Sequence, residues 1–306
     1  MRTLKTALAA ALLAVGGAAQ ADVVLTGNFL TMTINSNGYI GQGNDSPGLI
    51  FDRTGTGTFD PLLDYIAPGI PFEAFGVKIG GGGTLFNSNS GSSSIVTVSD
   101  VANTSSGTTL SATWSGTLAG VLNISHTYSF GQNDQNLRIS TTITALSDLD
   151  DLRFARAVDP DPDNTPTGTA STNNQRGNAD PSLSTQDFVF STGQISGQPL
   201  GLFSDSDVNH NTGLSSSCCS VIDPDFYLDG GNLGNSSVGD HGIGIAFDLG
   251  NLNAGESVNL EYFYVTAGSV GEIEVPGGGG GTVPLPGTLA LMGLGLGALG
   301  LRRRLG

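Results

Sequence analysis

Three aspartates at two-residue spacing, Asp159, Asp161 and Asp163 in "DPDPDN", form the densest group of chemistry-bearing side chains in the sequence. Alternate carboxylates in an extended loop can aim several oxygens at one Ca²⁺ ion, and these three fill the first, third and fifth positions of such a loop. Asn164 stands where an EF-hand needs Gly, and Ala170 where its bidentate Glu belongs, so that loop type is excluded. Two readings fit: a stiff acidic turn held extended by Pro160 and Pro162, or a nonstandard Ca²⁺ site. The run "DSDVNHNTG" repeats the rhythm with Asp205, Asp207, Asn209 and Asn211, but Ser216 takes the distal position. A polar loop is expected there, with Ca²⁺ as the alternative. Ca²⁺ is the one candidate cofactor.

Other chemistry is sparse, and no catalytic residue is nominated. The three histidines are His126, His210 and His241, with neither a G-x-S-x-G nucleophile elbow nor an H-E-x-x-H zinc motif. Glycoside hydrolysis needs two carboxylates flanking the sugar, but among 27 acidic residues no pair stands out. Trp114, the sole tryptophan, reads as a core strand position and not as a sugar platform. Cys218 and Cys219 are adjacent, so their Cα atoms are about 3.8 Å apart, below the usual disulfide window of about 4.4–6.8 Å. A strained ring, an intermolecular link and two free thiols all remain open, while CxxC metal binding is ruled out by spacing.

The elements that must carry these residues are strands. In "LNISHTYSF" Leu122, Ile124, His126, Tyr128 and Phe130 share one face, placing His126 in the core. After the turn "GQNDQN", "LRISTTITA" aligns Leu137, Ile139, Thr141 and Ile143, which predicts an antiparallel hairpin with one wet side. "GIGIAFDLG" and "VNLEYFYVTAG" repeat the pattern around "NLNAGES". Further strands are expected at 25–34, 74–79, 94–100, 108–115, 152–158 and 187–191. Ten or more short strands between Gly, Asn and Ser turns predict an all-β, large antiparallel β-sandwich, with no internal repeat to suggest a solenoid.

Composition agrees. The chain holds 47 Gly and few Lys or Glu, which disfavours long helices. Setting aside Arg2, Lys5 and Arg302 to Arg304 at the two ends, six of the 11 basic residues remain against 27 acidic ones, a net charge of −21 over the body. Nucleic acid is thereby excluded as a partner, since phosphate contacts need Lys and Arg clusters.

The two ends are different in kind. Arg2 and Lys5, the apolar "TALAAALLAVGGAA" and the small-residue site Ala19-Gln20-Ala21 before Asp22 have the layout of a secretory signal peptide over residues 1–21. The expected body is an extracellular domain over 22–275, followed by a Gly-rich linker at 276–282 that acts as a flexible spacer. The last 24 residues, 283–306, read "VPLPGTLALMGLGLGALGLRRRLG". Their apolar run, 287–301, is fifteen residues long, roughly 22 Å as a helix, short of a bilayer core of about 30 Å. Arg302, Arg303 and Arg304 would hold its end on the cytoplasmic side.

Val283, Pro284, Leu285, Pro286 and Gly287, followed by the apolar run and three arginines, resemble the PEP-CTERM class of bacterial C-terminal sorting signals, in its VPLPA variant. Gly287 replaces the Ala of that variant. The resemblance implies an exosortase partner, a transient membrane stage through 287–301, cleavage near 284–287, and export to the surface of a Gram-negative bacterium. A permanent short anchor is the alternative. The resemblance also links such proteins to exopolysaccharide or biofilm matrix, and the sparse chemistry of the body leads us to expect a non-enzymatic role. In the body, "SPGLIFDRTGTGTFDPLLDYIAPGIPFEAFGVKI" and "LRISTTITALSDLDDLRFARAVDPDPD" resemble galactose mutarotase-like sandwiches. That resemblance implies a rival role as a carbohydrate-binding module or a polysaccharide-acting enzyme.

Overall fold

A computed structural model describes residues 22–276. The signal segment with Ala19 and Ala21, the linker beyond Pro276 and the sorting segment 283–306 lie outside the described residues. In chain order, β1 (Val23–Thr26), β2 (Leu30–Ile34) and β3 (Leu49–Phe51) make a three-stranded sheet. β4 (Glu73–Ile79) and β5 (Leu85–Ser88) open a second sheet. β6 (Val96–Asn103), β7 (Thr109–Leu118), β8 (Leu122–Gly131) and β9 (Asn136–Ala145) then run up and down along one side of a third. β10 (Leu149–Val158) returns to the second sheet, and the single turn α1 (Asn164–Thr167) leads to β11 (Thr172–Arg176), β12 (Phe188–Gly193) and β13 (Pro199–Phe203) in the third. The chain crosses again through β14 (His210–Ser215), α2 (Pro224–Leu228), β15 (Ser236–Gly239), β16 (Gly242–Leu252) and β17 (Ser257–Thr266).

The five-stranded sheet has the order β14-β16-β10-β4-β5, and the nine-stranded sheet the order β15-β11-β12-β13-β17-β9-β8-β7-β6. All pairings between these strands are antiparallel. The fold is thus an all-β antiparallel sandwich, as the alternation predicts. The expected hairpin is β8–β9, with Leu122 opposite Ala145 and Tyr128 opposite Ile139. Its inward residues, including His126 and Thr141, are buried while their neighbours face water.

One hydrophobic core joins Phe75, Val77, Phe154, Ile245 and Phe247 of the small sheet to Trp114, Ile124, Tyr128, Ile139, Tyr262 and Tyr264 of the large one. Trp114 is in the core as expected, and its Nε1 donates to the Ser36 carbonyl at 3.0 Å. The small sheet is covered on its other face too: Ala74, Ala155, Ala157 and Ala246 pack with Tyr227 of α2. Small residues allow that approach, and a Cβ on Gly244 would stand 2.4 Å from Tyr227 Cε1. Asp223 starts α2, its side chain accepting from the Asp225 amide while Pro224 fills the first helical turn.

The stretch expected as one strand over 25–34 is instead the β1–β2 hairpin, closed by the Gly27 amide donating to the Leu30 carbonyl at 2.8 Å. β3, β5, β11, β13, β14 and β15 are further strands beyond the expected set.

Candidate functional site

The acidic loop begins where β10 ends. The amide of Asp159 donates to the Phe72 carbonyl (2.9 Å) and that of Asp161 to the Tyr65 carbonyl (2.8 Å), fastening both residues against the segment that leads into β4. Their side chains are each 3% exposed. Asp163 does not join them, although two-residue spacing predicts one triad. The Asn164 amide donates back to the Asp161 carbonyl, the chain turns into α1, and Asp163 points elsewhere. Its two carboxylate oxygens accept from the amides of Ile195 (2.7 Å) and Ser196 (3.0 Å), pinning the β12–β13 turn. The third carboxylate beside Asp159 and Asp161 is Asp240, from the connection between β15 and β16. Ligand oxygens of Asp159, Asp161 and Asp240 all lie within 4.8 Å of one another.

Burial pushes the Asp159 carboxyl up to about 9, helped by the charges of Asp161 and Asp240. Burial and Asp240 together push Asp161 up to about 7, against a hydrogen bond from Asn164. Asp240 is exposed, and its carboxyl is also raised, first by partial burial, while His241 and Asp159 pull it down.

Cys218 and Cys219 are bonded to each other, with an S–S distance of 2.01 Å. Their sulfurs also lie within 4.8 Å of an Asp159 oxygen. The second acidic run is dispersed: Asp205 and Asp207 are exposed, whereas Asn211 Oδ1 accepts from Arg176 Nη2 at 2.7 Å.

The histidines are spread among separate environments. His126 is fully buried, with Nδ1 2.8 Å from Thr141 Oγ1, which in turn lies 3.1 Å from the Tyr262 hydroxyl. Desolvation, then the nearby Arg156 charge, holds His126 well below the usual imidazole range, so it is neutral in the core. His210 Nε2 is 3.3 Å from Asp187 Oδ1, and His241 Nδ1 contacts the Asp240 carbonyl at 2.8 Å.

A separate groove of about 330 Å³ opens at the β15 side of the nine-stranded sheet. Asn173, Gln175, Ser236 and Ser237 supply amides and hydroxyls along it; Phe190, Val238 and Val270 supply apolar surface. Thr192, 8% exposed, also lines it and holds a buried Oγ1 with no hydrogen-bond partner. Nothing in the sequence flagged this groove, because β11 (TNNQR) has no apolar alternation.

Comparison with known proteins adds two findings. No curated protein matches the chain. Among solved structures, a bacterial glucoamylase complexed with acarbose is similar at 14% identity and a TM-score of 0.54, over 83% of this chain and 33% of the glucoamylase. The heparan sulfate lyase HepC from Pedobacter heparinus matches at 8% identity and a TM-score of 0.41 (78% and 33% covered). An α-mannosidase from Enterococcus faecalis V583 matches at 10% identity and a TM-score of 0.44 (81% and 29% covered). The chain spans about a third of the length of these enzymes, and its likeness to the glucoamylase is one of fold. The PEP-CTERM protein-sorting motif matches residues 282–304. The β-sandwich accordingly precedes a PEP-CTERM sorting signal, which implies export, a membrane-anchored sorting intermediate and an exosortase as processing partner.

Proposed function

We propose that the chain is a non-catalytic, surface-associated protein that binds neutral extracellular polysaccharide through the groove beside β15, after the signal peptide and the C-terminal tail have been removed. The observation that carries this reading is the groove's lining. Amides, hydroxyls and an apolar floor are the groups that meet the hydroxyls and C–H faces of a sugar, and no carboxylate or imidazole lines the groove to act as acid or base. A body charge of −21 repels uronic-acid and sulfated polymers, which points to neutral ones. The matrix of a Gram-negative biofilm is the setting that the sorting signal suggests.

Native affinity electrophoresis through gels containing dextran or another neutral glucan tests the binding. Retardation that is lost in Asn173→Ala and Val238→Lys supports the reading. Unretarded migration through every neutral polysaccharide tried would sink it. Intact-mass measurement of surface-extracted protein tests the processing, with loss of residues 1–21 and of everything after about Pro286 expected. A mature species retaining Arg302 to Arg304 contradicts cleavage.

A further inference from the structure

Where the chain passes between the two large sheets, three carboxylates meet with no Lys or Arg of the described residues beside them, and the one positive charge that acts on them is that of His241, next to Asp240. Asp159 and Asp161 follow β10 of the five-stranded sheet. Asp240 sits between β15, at the edge of the nine-stranded sheet, and β16, inside the five-stranded one. Asp159 and Asp161 are buried, and the Oδ1 atom of each has no hydrogen-bond partner. The Asp159 carboxyl has Cys219 Sγ 3.5 Å from Oδ2, but a disulfide sulfur has no proton to donate, and its other side-chain partner is Asp240, a contact between two carboxyls that holds only while one of them keeps a proton. Asp161 Oδ2 receives a single bond, from Asn164 Nδ2 at 3.2 Å.

The six described Lys and Arg side chains are all engaged elsewhere. Lys78, Arg138, Arg153 and Arg156 pair with Asp223, Glu261, Asp225 and Glu73, while Arg53 and Arg176 bond to carbonyl and amide groups. Burying ionised carboxylates without a counter-charge costs several kcal/mol each, so without a cation Asp159 keeps its proton at neutral pH. The fold nevertheless brings three together from positions up to 81 residues apart.

We propose that Asp159, Asp161 and Asp240 form a binding site for a hard divalent cation, with Ca²⁺ the best fit. Oxygens sharing one Ca²⁺ at about 2.3–2.6 Å stand up to about 5 Å apart, so the observed spacing within 4.8 Å accommodates the ion with little movement. The ligand set is all oxygen, and the neighbouring sulfurs are locked in a disulfide, which disfavours the soft metals that select thiolates. Asp240 is exposed, leaving room on its side for the waters that complete a Ca²⁺ shell. The bound ion ties the end of β10 to the β15–β16 crossover and so fastens one sheet to the other.

The test uses the full chain stripped with EDTA and titrated with CaCl₂ by calorimetry, with a thermal melt in parallel. One equivalent of Ca²⁺ is expected to bind and to raise the midpoint by several degrees. Asp240→Asn, an exposed site whose amide keeps the shape, is expected to weaken binding at least tenfold. Asp163→Asn, which holds the β12–β13 turn, lowers the melting midpoint but leaves Ca²⁺ affinity within twofold. Absence of both heat and a thermal shift at millimolar Ca²⁺ in the folded protein overturns the proposal, and so does an unchanged affinity in Asp240→Asn. Neither outcome bears on the glucan gels, so failure here is separable from failure of the groove.

Discussion

Arg156 and Glu73 meet inside the sandwich, Nε donating to Oε1 at 2.6 Å, with both side chains fully buried. They sit on paired strands, β10 and β4, where Arg156 is opposite Phe75 and Glu73 opposite Val158. The Tyr264 hydroxyl donates to the same Glu73 oxygen at 2.8 Å, and Glu73 Oε2 accepts from the Ile40 amide at 2.7 Å. The guanidinium also lies over the rings of Phe75, Tyr128 and Tyr264. Removing one partner strands the other charge in the core. Arg156→Met is therefore expected to cost about 3–5 kcal/mol in urea unfolding, and Glu73→Leu added to it should restore a large part. Equal losses in the single and double variants would contradict the pairing.

Asp52 is an acid-stability switch. Burial raises its carboxyl, but hydrogen bonds from Thr54, Thr58 and Thr56 outweigh that and bring it down to about 2. Because the folded value lies below the unfolded one, its contribution is present above about pH 4 and is lost as pH falls toward 2. Melting curves between pH 5 and 2 are expected to fall more steeply in the native protein than in Asp52→Asn.

Asp159 and Asp161 act in the opposite sense when no cation is present. Their folded values, about 9 and about 7, lie above the unfolded one. Their contribution is thus complete below about pH 4 and is lost as pH rises through 7 and 9. In EDTA, stability is expected to decline across that range, and the decline should flatten in Asp159→Asn. Parallel profiles in the two proteins would remove this account.

Gly244 permits α2 to close on the small sheet. An added methyl would meet the Tyr227 ring at 2.4–2.7 Å, and such overpacking typically costs about 1–3 kcal/mol. Gly244→Ala is expected to lose that much in chemical denaturation, and Tyr227→Leu in the same chain should relieve part of it.

The sequence revealed the elements with one wet face. β8 and β9 alternate because half of each strand is solvated, so Leu122 to Phe130 announced itself, whereas β17 alternates only as far as Tyr262 and is buried on both faces beyond it. β13 (PLGLF) is buried at all five positions and gave no period to read. β11 failed for the converse reason, being polar throughout. At the acidic loop, the residue types were legible but the partnership was not. The turn into α1 takes Asp163 away, and the replacement, Asp240, arrives through a strand crossover that local spacing cannot encode. For the adjacent cysteines, spacing alone left three options open, whereas the structure bonds Cys218 to Cys219 and leaves neither sulfur for a second chain.

Val270, which lines the groove, stands six residues before Pro276. Six residues of fully extended chain reach only about 20 Å. Pro276 is consequently held within that reach of the groove, so the chain leaves the sandwich close to the groove's mouth.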